Sequence, residues 1–184
     1  MKETVKMVIN LMAASARTAP KAGGKDFLEI VVITEENKLK KIADTMKDYA
    51  PKSTNEAYWL RDASNIENSQ ALLLIGLKKP VTAGYDCGGC GYQSCEEFSK
   101  NRQIQEKKMG YTGPHCVMRM MDIGVALSSA VKTASMLNID NRVQQRVGAA
   151  ARELGYIKAE VAMGTPVSIS GKNIYFDRKT PAKH

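Results

Sequence analysis

Four cysteines constrain this chain more than any other feature of its sequence. They are the only cysteines among its 184 residues, and they lie at Cys87, Cys90, Cys95 and Cys116 with the spacing C-x2-C-x4-C-x20-C. Thiolates are soft ligands that iron–sulfur clusters and zinc both select, and a cubane cluster needs four of them converging from different directions. Three close cysteines and one distant cysteine can supply that convergence. The spacing therefore predicts that they bind one 4Fe–4S cluster.

The residues between the cysteines favour the same interpretation. Gly88, Gly89 and Gly91 permit positive φ angles and leave the backbone unobstructed, so that N–H groups can turn inward and donate to cluster sulfurs. Such hydrogen bonds tune a reduction potential. Nearby aromatic residues are expected to keep water away from the cluster, namely Tyr92, Phe98 and Tyr111.

Other states of the four cysteines remain open. Structural zinc is the main alternative, although four-cysteine zinc sites usually come as two separated C-x2-C pairs. Disulfides are disfavoured in a chain that is long enough to fold without them and that we expect to be cytoplasmic. Free core cysteines are a further alternative, and His115 is an alternative ligand beside Cys116.

Composition and charge exclude some functional classes. The chain is 43% hydrophobic and 25% charged, and no apolar run approaches the length of a membrane span. Its N-terminus begins an amphipathic pattern and not a secretory signal, so we expect a cytoplasmic protein without a membrane partner. The formal charge of +8 comes from scattered lysines and arginines, which favours a solvated surface over a nucleic-acid site and leaves an anionic partner open.

The hydrophobic pattern predicts an alternation of helices and strands before the cysteines. A helix is expected over residues 4–16, a glycine-bearing loop over 18–26, a strand over 27–34, a helix over 39–49 and a short apolar strand over 71–77. Residues 56–68 are helical or irregular in this interpretation.

A second set of elements is predicted after the cysteines. A long helix covers residues 118–137, and a helix over 140–154 has Asp140 as N-cap and Gly155 just past its end. Short strands follow over 159–163, 167–170 and 174–177, the last two joined as a hairpin near 171–173, with Gly164-Thr165-Pro166 ending the first. The order predicts one α+β or α/β domain over 1–184, a layered sheet with helices, with residues 80–116 as an inserted iron–sulfur segment.

The cysteine segment also resembles a known motif, C-G-x-C-G-x-x-x-C-x-x-F, over residues 87–98. It is similar to the small 4Fe–4S domain of corrinoid and electron-transfer proteins from anaerobes, in which a fourth cysteine follows at a distance. The whole chain resembles a prokaryotic family of uncharacterised ferredoxin-domain-containing proteins. This resemblance implies a cluster held by Cys87, Cys90, Cys95 and Cys116.

A second resemblance involves both ends of the chain. Residues 14–27 are similar to the segment of FMN-dependent nitroreductases in which a helix ends in an alanine-proline turn beside the flavin, and residues 161–167 resemble the strand that closes that fold. The resemblance implies a nitroreductase-like fold, FMN, and a homodimer with the cofactor near its interface. Arg17 and Lys21 would bind the flavin phosphate, and Gly23 and Gly24 would let the backbone approach it. From its residues alone, the same loop is also compatible with a simple surface turn.

These observations predict an iron–sulfur redox protein that exchanges single electrons, with a flavin-linked oxidoreductase as its enzymatic form. One alternative is a non-enzymatic cluster carrier or sensor that docks a redox partner protein. Another is a zinc-bearing binding protein, with nucleic acid as a candidate ligand. The sequence identifies no general acid or base.

Overall fold

The structure is a computed structural model that describes residues 1–79 and 81–177. Its helices are α1 (Lys2–Thr18), α2 (Glu36–Tyr49), α3 (Glu56–Glu67), α4 (Cys95–Asn101), α5 (Val117–Met136) and α6 (Gln145–Glu153). Its strands are β1 (Leu28–Ile33), β2 (Ala71–Leu77), β3 (Gln105–Glu106), β4 (Thr112–Gly113), β5 (Asp140–Asn141) and β6 (Val161–Ser168).

One four-stranded sheet organises the fold, in the order β1-β2-β6-β5. Every neighbouring pair is antiparallel, and β3 and β4 form a separate antiparallel pair. All residues of β2 are buried, because this apolar strand lies between two other strands and is covered on both faces. The antiparallel pairing makes the fold α+β, one of the two predicted classes.

Helices cover both faces of the sheet. Leu73 and Ile75 of β2 point into a core formed with α1 and α5, whereas Leu72 and Leu74 point into a core formed with α2, α3 and α6. This alternation follows from the two-residue period of a strand. Each helix buries one apolar stripe, as in α1, whose buried residues are Val5, Val8, Ile9, Met12 and Ala16. The result is the predicted layered arrangement.

The helices predicted before the cysteines are confirmed, and the undecided stretch 56–68 contains helix α3. In the described residues, no helix combines the length and apolar character that crossing a membrane requires.

The prediction for the last strands was wrong. One continuous strand, β6, replaces the two expected over 159–163 and 167–170, and residues 174–177 form no strand and no hairpin. Pairing with β2 runs from Ala71 opposite Val167 to Leu77 opposite Val161, so Gly164-Thr165-Pro166 continues the strand and does not end it. Tertiary pairing has overridden the local turn preference of these residues.

The predicted start of the helix over 140–154 was also wrong. Asp140 is no N-cap, because Asp140 and Asn141 pair with Ser168 and Val167 of β6 and thereby form β5. The helix α6 begins only at Gln145, after Gln144 has bridged to β6. The end of the helix agrees with the prediction, since Gly155 follows it with a φ of 70°.

Close approach of α6 to β6 depends on Gly148. A Cβ at this position would collide with the backbone carbonyl of Ala162, which cannot move without breaking the sheet. We expect Gly148→Ala to lower the free energy of unfolding by about 3 kcal/mol, the upper part of the range for overpacking. Urea denaturation followed by circular dichroism measures this change.

The matched control for Gly148 is Gly171→Ala. A Cβ on Gly171 meets nothing within 4 Å, so its unfolding free energy should change by less than about 0.5 kcal/mol. Equal effects of the two substitutions would contradict the close packing of α6 on β6.

Candidate metal centre and the neighbouring glycine loop

The first three cysteines lie on a tight loop that leads into α4. The backbone N–H of Cys95 donates to Oδ1 of Asp86 at 2.6 Å, which ties the end of the loop to its beginning. Gly88 and Gly91 adopt φ angles of 69° and 86°, and the N–H of Gly91 donates to the carbonyl of Gly88 at 2.9 Å. The positive φ angles expected from the glycine pattern are therefore present at these two positions.

Helix α4 fixes the position of Cys95, its first residue. Ser94 is the N-cap, and its hydroxyl accepts a hydrogen bond from the N–H of Glu97 at 3.0 Å. Phe98 is fully buried, and the ring of Tyr92 packs edge-on against it with centroids 5.3 Å apart. Both aromatic residues therefore pack on the helix that carries Cys95, and their shielding of a cluster stays a prediction. Tyr111 instead reaches β6, where its hydroxyl contacts Sδ of Met163 at 2.7 Å.

The fourth cysteine immediately precedes α5. Cys116 is buried, and its carbonyl accepts the N–H of Met120 at 3.1 Å, a bond of the first helical turn. The free N–H groups and the macrodipole at a helix N-terminus favour negative charge, which suits a thiolate. Cys116 thus lies directly before the N-terminal end of α5.

The cysteine loop packs directly against the beginning of α5. A Cβ built on Gly89 would lie 2.5 Å from Cγ1 of Val117, so only glycine fits at this contact. Gly89 lies between Cys87 and Cys90, and Val117 follows Cys116. The structure therefore brings the loop against the residue next to the distant cysteine.

The four thiols suit a cluster in their chemistry, but within the described residues they are not assembled into a ligand set. All four cysteines are free, so no disulfide competes for their sulfurs. Over residues 1–79 and 81–177, no set of three or more His, Cys, Asp or Glu side chains is arranged to hold a metal ion. Ligation thus requires the cysteines to come closer together than they lie here; Cys87 is exposed, Cys90 and Cys95 are half-buried and Cys116 is buried.

Charged residues attach the end of α4 to the chain before Cys116. Arg102 donates to the carbonyl of Pro114 at 2.6 Å and to the carboxylate of Glu160 at 2.5 Å. His115 lies 3.3 Å from the same carboxylate, and its Nε2 is 2.7 Å from the carbonyl of Thr112. Burial lowers the pKa of His115, although that contact and Glu160 oppose the shift. In the described part of the chain the buried Nδ1 of His115 has no hydrogen-bond partner, so metal ligation by His115 stays a prediction.

The predicted flavin loop follows α1. Gly23 and Gly24 adopt φ angles of 64° and 65°, and a Cβ on Gly24 would meet no atom within 4 Å. This open, left-handed turn leaves room for a ligand to approach the backbone. Arg17 is half-exposed and donates to Asp26 at 2.6 Å and to the carbonyl of Leu28 at 3.1 Å.

Lys21, predicted to bind the flavin phosphate, has a buried side chain. Its ammonium donates to the carbonyls of Ala16 and Arg17 at 2.8 and 2.6 Å, and its side chain is only 5% exposed. In this conformation Lys21 caps the C-terminus of α1, and its contact with a phosphate stays a prediction. Burial acts to raise the pKa of Asp26, but the Leu28 N–H and the charges of Arg17 and Lys21 outweigh burial and hold that pKa below its usual range.

A buried ion pair on α5 anchors this loop. Arg119 donates to Asp122 at 2.9 Å and to the carbonyls of Ala22 and Lys25 at 3.0 and 3.3 Å. Asp122 in turn accepts the N–H of Ala22 at 2.7 Å. Arg119 is only 1% exposed, and its guanidinium lies 4.7 Å from the ring centroid of Phe27.

The same pair joins the glycine loop to the cysteine segment. Arg119 also reaches the carbonyl of Thr82 at 3.4 Å, in the chain that leads to Cys87. A Cβ on Gly23 would lie 3.5 Å from the hydroxyl of Tyr85. Both candidate cofactor segments therefore meet at the N-terminal end of α5.

Sequence reasoning missed this ion pair. Arg119 and Asp122 lie on the buried face of α5 together with Ile123 and Ala126, at helical spacings of three and four residues. Two opposite charges on an otherwise apolar face are a signal for a buried, specific contact. That signal could have identified both residues without a structure.

Comparison with solved structures shows the fold. The chain is similar to a nitroreductase with bound FMN from Desulfitobacterium hafniense DCB-2, with a TM-score of 0.59 at 10% identity over 90% of this chain and 78% of that one. It is similar to a BluB-like flavoprotein from Clostridium difficile 630, with a TM-score of 0.54 at 17% identity over 97% and 84%. The protein therefore has a nitroreductase-like α+β fold, as predicted.

Comparison of sequences shows the family. Residues 112–178 match the family described as "Uncharacterized protein containing a ferredoxin domain (DUF2148)", a span that includes Cys116 but not the other three cysteines. An "Uncharacterized protein" from Archaeoglobus fulgidus is 47% identical over 176 residues, covering 96% of this chain and 92% of its own length. The chain belongs to this family of ferredoxin-domain proteins.

The buried pair provides a test of the site's anchoring. Asp122→Asn keeps the size of the side chain but leaves the Arg119 guanidinium buried without its counterion. We expect the free energy of unfolding to fall by about 3 kcal/mol, as for other broken buried pairs. Urea denaturation measures the change.

The control for Asp122 is Asp44→Asn, which breaks the exposed pair between Lys40 and Asp44 at 2.9 Å. This change should lower the free energy of unfolding far less than Asp122→Asn does, because water screens the exposed pair. A small effect at Asp122 as well would show that Arg119 does not depend on this carboxylate.

Proposed function

We propose that this protein is an iron–sulfur redox protein that binds one 4Fe–4S cluster through Cys87, Cys90, Cys95 and Cys116. The contact between Gly89 and Val117 carries this proposal, because it brings the loop of three cysteines against the helix that begins after the fourth. Membership in a ferredoxin-domain family supports iron–sulfur chemistry. When bound, such a cluster accepts and releases single electrons.

The chain's own residues would orient and shield the ligands. Asp86 holds the loop closed through the N–H of Cys95, and Cys116 directly precedes the first turn of α5. The buried ring of Phe98 excludes water on the side of α4. These residues set the position and surroundings of the sulfurs, which are the protein's means of tuning a cluster.

A flavin is the second cofactor in this proposal. The nitroreductase from Desulfitobacterium hafniense is described with bound FMN, and the glycine loop of this chain presents an open turn beside the half-exposed Arg17. Arg17 would contact the flavin phosphate, while Gly23 and Gly24 would admit the ligand to the backbone. Tyr85 connects this loop to the cysteine segment, because its hydroxyl would lie 3.5 Å from a Cβ on Gly23.

Anaerobic reconstitution tests the cluster. With iron and sulfide supplied, we expect about four irons and four sulfides per chain and a broad absorption near 400 nm that dithionite bleaches. Cys95→Ser should abolish this signal, whereas Gln93→Ala, an exposed non-ligand position within the same C-x4-C, should retain it. A colourless protein with one equivalent of zinc would refute the proposal, and an unchanged spectrum in Cys95→Ser would remove Cys95 from the ligand set.

Titration with FMN and with riboflavin tests the flavin site. Arg17→Gln should weaken FMN binding about ten-fold, the worth of one charge-assisted hydrogen bond, and should leave riboflavin binding unchanged because riboflavin has no phosphate. Lys52→Gln, which removes an exposed charge elsewhere, serves as control. Quenching of flavin fluorescence measures both affinities. No binding of FMN to the unchanged protein would eliminate the flavin and leave the cluster proposal intact.

A further inference from the structure

Three lysines lie where the sheet leads toward the cysteine segment. Leu28 and Leu77 form the last pair of β1 and β2, and beyond it the N–H of Lys78 donates to the carbonyl of Phe27 at 3.1 Å. The chain before β1 and the chain after β2 therefore run side by side here. Lys25, Lys78 and Lys79 are all exposed in these two stretches, and we name them the sheet-end lysines.

The charge of the sheet-end lysines is uncompensated. Within residues 1–79 and 81–177, none of their ammonium groups forms an ion pair, unlike Lys40, Lys47 and Lys100. The neighbouring carboxylate of Asp26 is already engaged by Arg17 at 2.6 Å and lies 3.7 Å from the Lys21 ammonium. Like charges gathered without counterions create a positive potential that attracts an acidic surface over about one Debye length.

Two further carboxylates lie near the ends of these strands. That of Glu160, whose N–H donates to the carbonyl of Leu77 at 3.1 Å, is already paired with Arg102, and the other belongs to Glu29. Its Oε2 accepts the backbone N–H of Lys158 at 3.1 Å, so it is directed toward the chain before β6. Lys158 is itself exposed and forms no ion pair in the described part of the chain. The local balance of charge therefore stays positive.

This positive surface lies close to the proposed cluster. Lys25 is two residues from Gly23, whose Cβ position would be 3.5 Å from the hydroxyl of Tyr85, and Tyr85 is two residues from the exposed Cys87. Each of these two-residue stretches spans at most about 7 Å, and the Tyr85 side chain joins them. A protein bound to the sheet-end lysines would therefore lie on the part of the surface that leads to Cys87.

We propose that the sheet-end lysines are the docking surface for a small acidic electron-transfer protein. This inference rests on the proposed cluster and adds the place and the charge of its partner. Electron-transfer encounters are small and transient, and electrostatic steering governs their association rates. A cluster of only three lysines suits such an encounter. It suits a polynucleotide less well, because affinity for a polynucleotide at physiological salt comes from many phosphate contacts.

The transfer moves one electron and breaks no bond. A reduced acidic partner that docks would lose one electron, and the cluster that Cys87, Cys90, Cys95 and Cys116 would hold would gain it. No proton or further reactant is needed. The lysines act only on the encounter, so they should change the association rate and leave the cluster's composition unaltered.

Stopped-flow mixing tests the docking surface. The anaerobically reconstituted protein is mixed with an acidic 2Fe–2S ferredoxin that has been reduced by dithionite and freed of it, and absorbance reports the electron transfer. The triple variant Lys25→Gln, Lys78→Gln, Lys79→Gln should lower the second-order rate constant about ten-fold at low salt, within the range of electrostatic steering. The difference should disappear at about 0.5 M salt.

A matched triple variant separates position from net charge. Lys6, Lys41 and Lys52 are exposed and form no ion pair within the described residues, so changing all three to glutamine removes the same charge elsewhere. This variant should change the rate constant less than about two-fold. Equal slowing in both variants, or no slowing in either, would overturn the docking site.

Other outcomes are also decisive. No electron transfer from the ferredoxin to the unchanged, cluster-bearing protein would overturn the acidic partner while leaving the cluster proposal intact. Salt-sensitive binding of duplex DNA, lost only in the sheet-end variant while its electron-transfer rate is unchanged, would assign the surface to nucleic acid instead. Failure to bind iron and sulfide would remove the proposed function itself, together with the docking site.

Discussion

The guanidinium of Arg119 lies beneath the first turns of α5 and holds two separate stretches of chain against one helix. It donates to Asp122 on its own helix, to the carbonyls of Ala22 and Lys25 in the glycine loop, and to the carbonyl of Thr82 before the cysteines. A buried charge is costly unless it is paired and hydrogen-bonded. If either segment moved away from α5, the buried guanidinium would therefore lose hydrogen-bond acceptors.

The N-terminal end of α5 consequently organises the whole site. Cys116 precedes the helix, the cysteine loop touches its first residue through Gly89, and the glycine loop is bound one turn further along by Asp122. The α1/α5 core and the antiparallel sheet support this helix from below. In a redox site of this kind, the rigid helix would fix the positions of the ligands. The two surface loops would leave the site open to a partner or substrate.

The sequence allowed much of the fold to be predicted, and the failures have physical causes. Helices with one apolar face, such as α1, show a clear helical period, and β2 is a continuous apolar run. The predicted positions of these elements were therefore correct. Asp140 and Gly164-Thr165-Pro166 carry local cap and turn signals, but pairing within the sheet outweighed both. The edge strand β5 has only two residues and leaves no periodic signal.

The candidate site was predictable where residue type alone carries the chemistry. Cysteine spacing predicts a metal centre without any knowledge of the fold. The roles of Arg119 and Lys21 depend instead on which carbonyls the folded chain brings near them, and these carbonyls lie up to 97 residues away. Backbone acceptors have no sequence signature, so the capping role of Lys21 and the anchoring role of Arg119 needed the three-dimensional arrangement.

Iron K-edge X-ray absorption of the anaerobically reconstituted protein tests the central claim most directly. The account predicts that each iron has only sulfur in its first shell and other irons in its second shell, as in a cubane held by four cysteine thiolates. Nitrogen or oxygen ligands without neighbouring irons would contradict the claim that the cysteine loop and Cys116 close around one 4Fe–4S cluster.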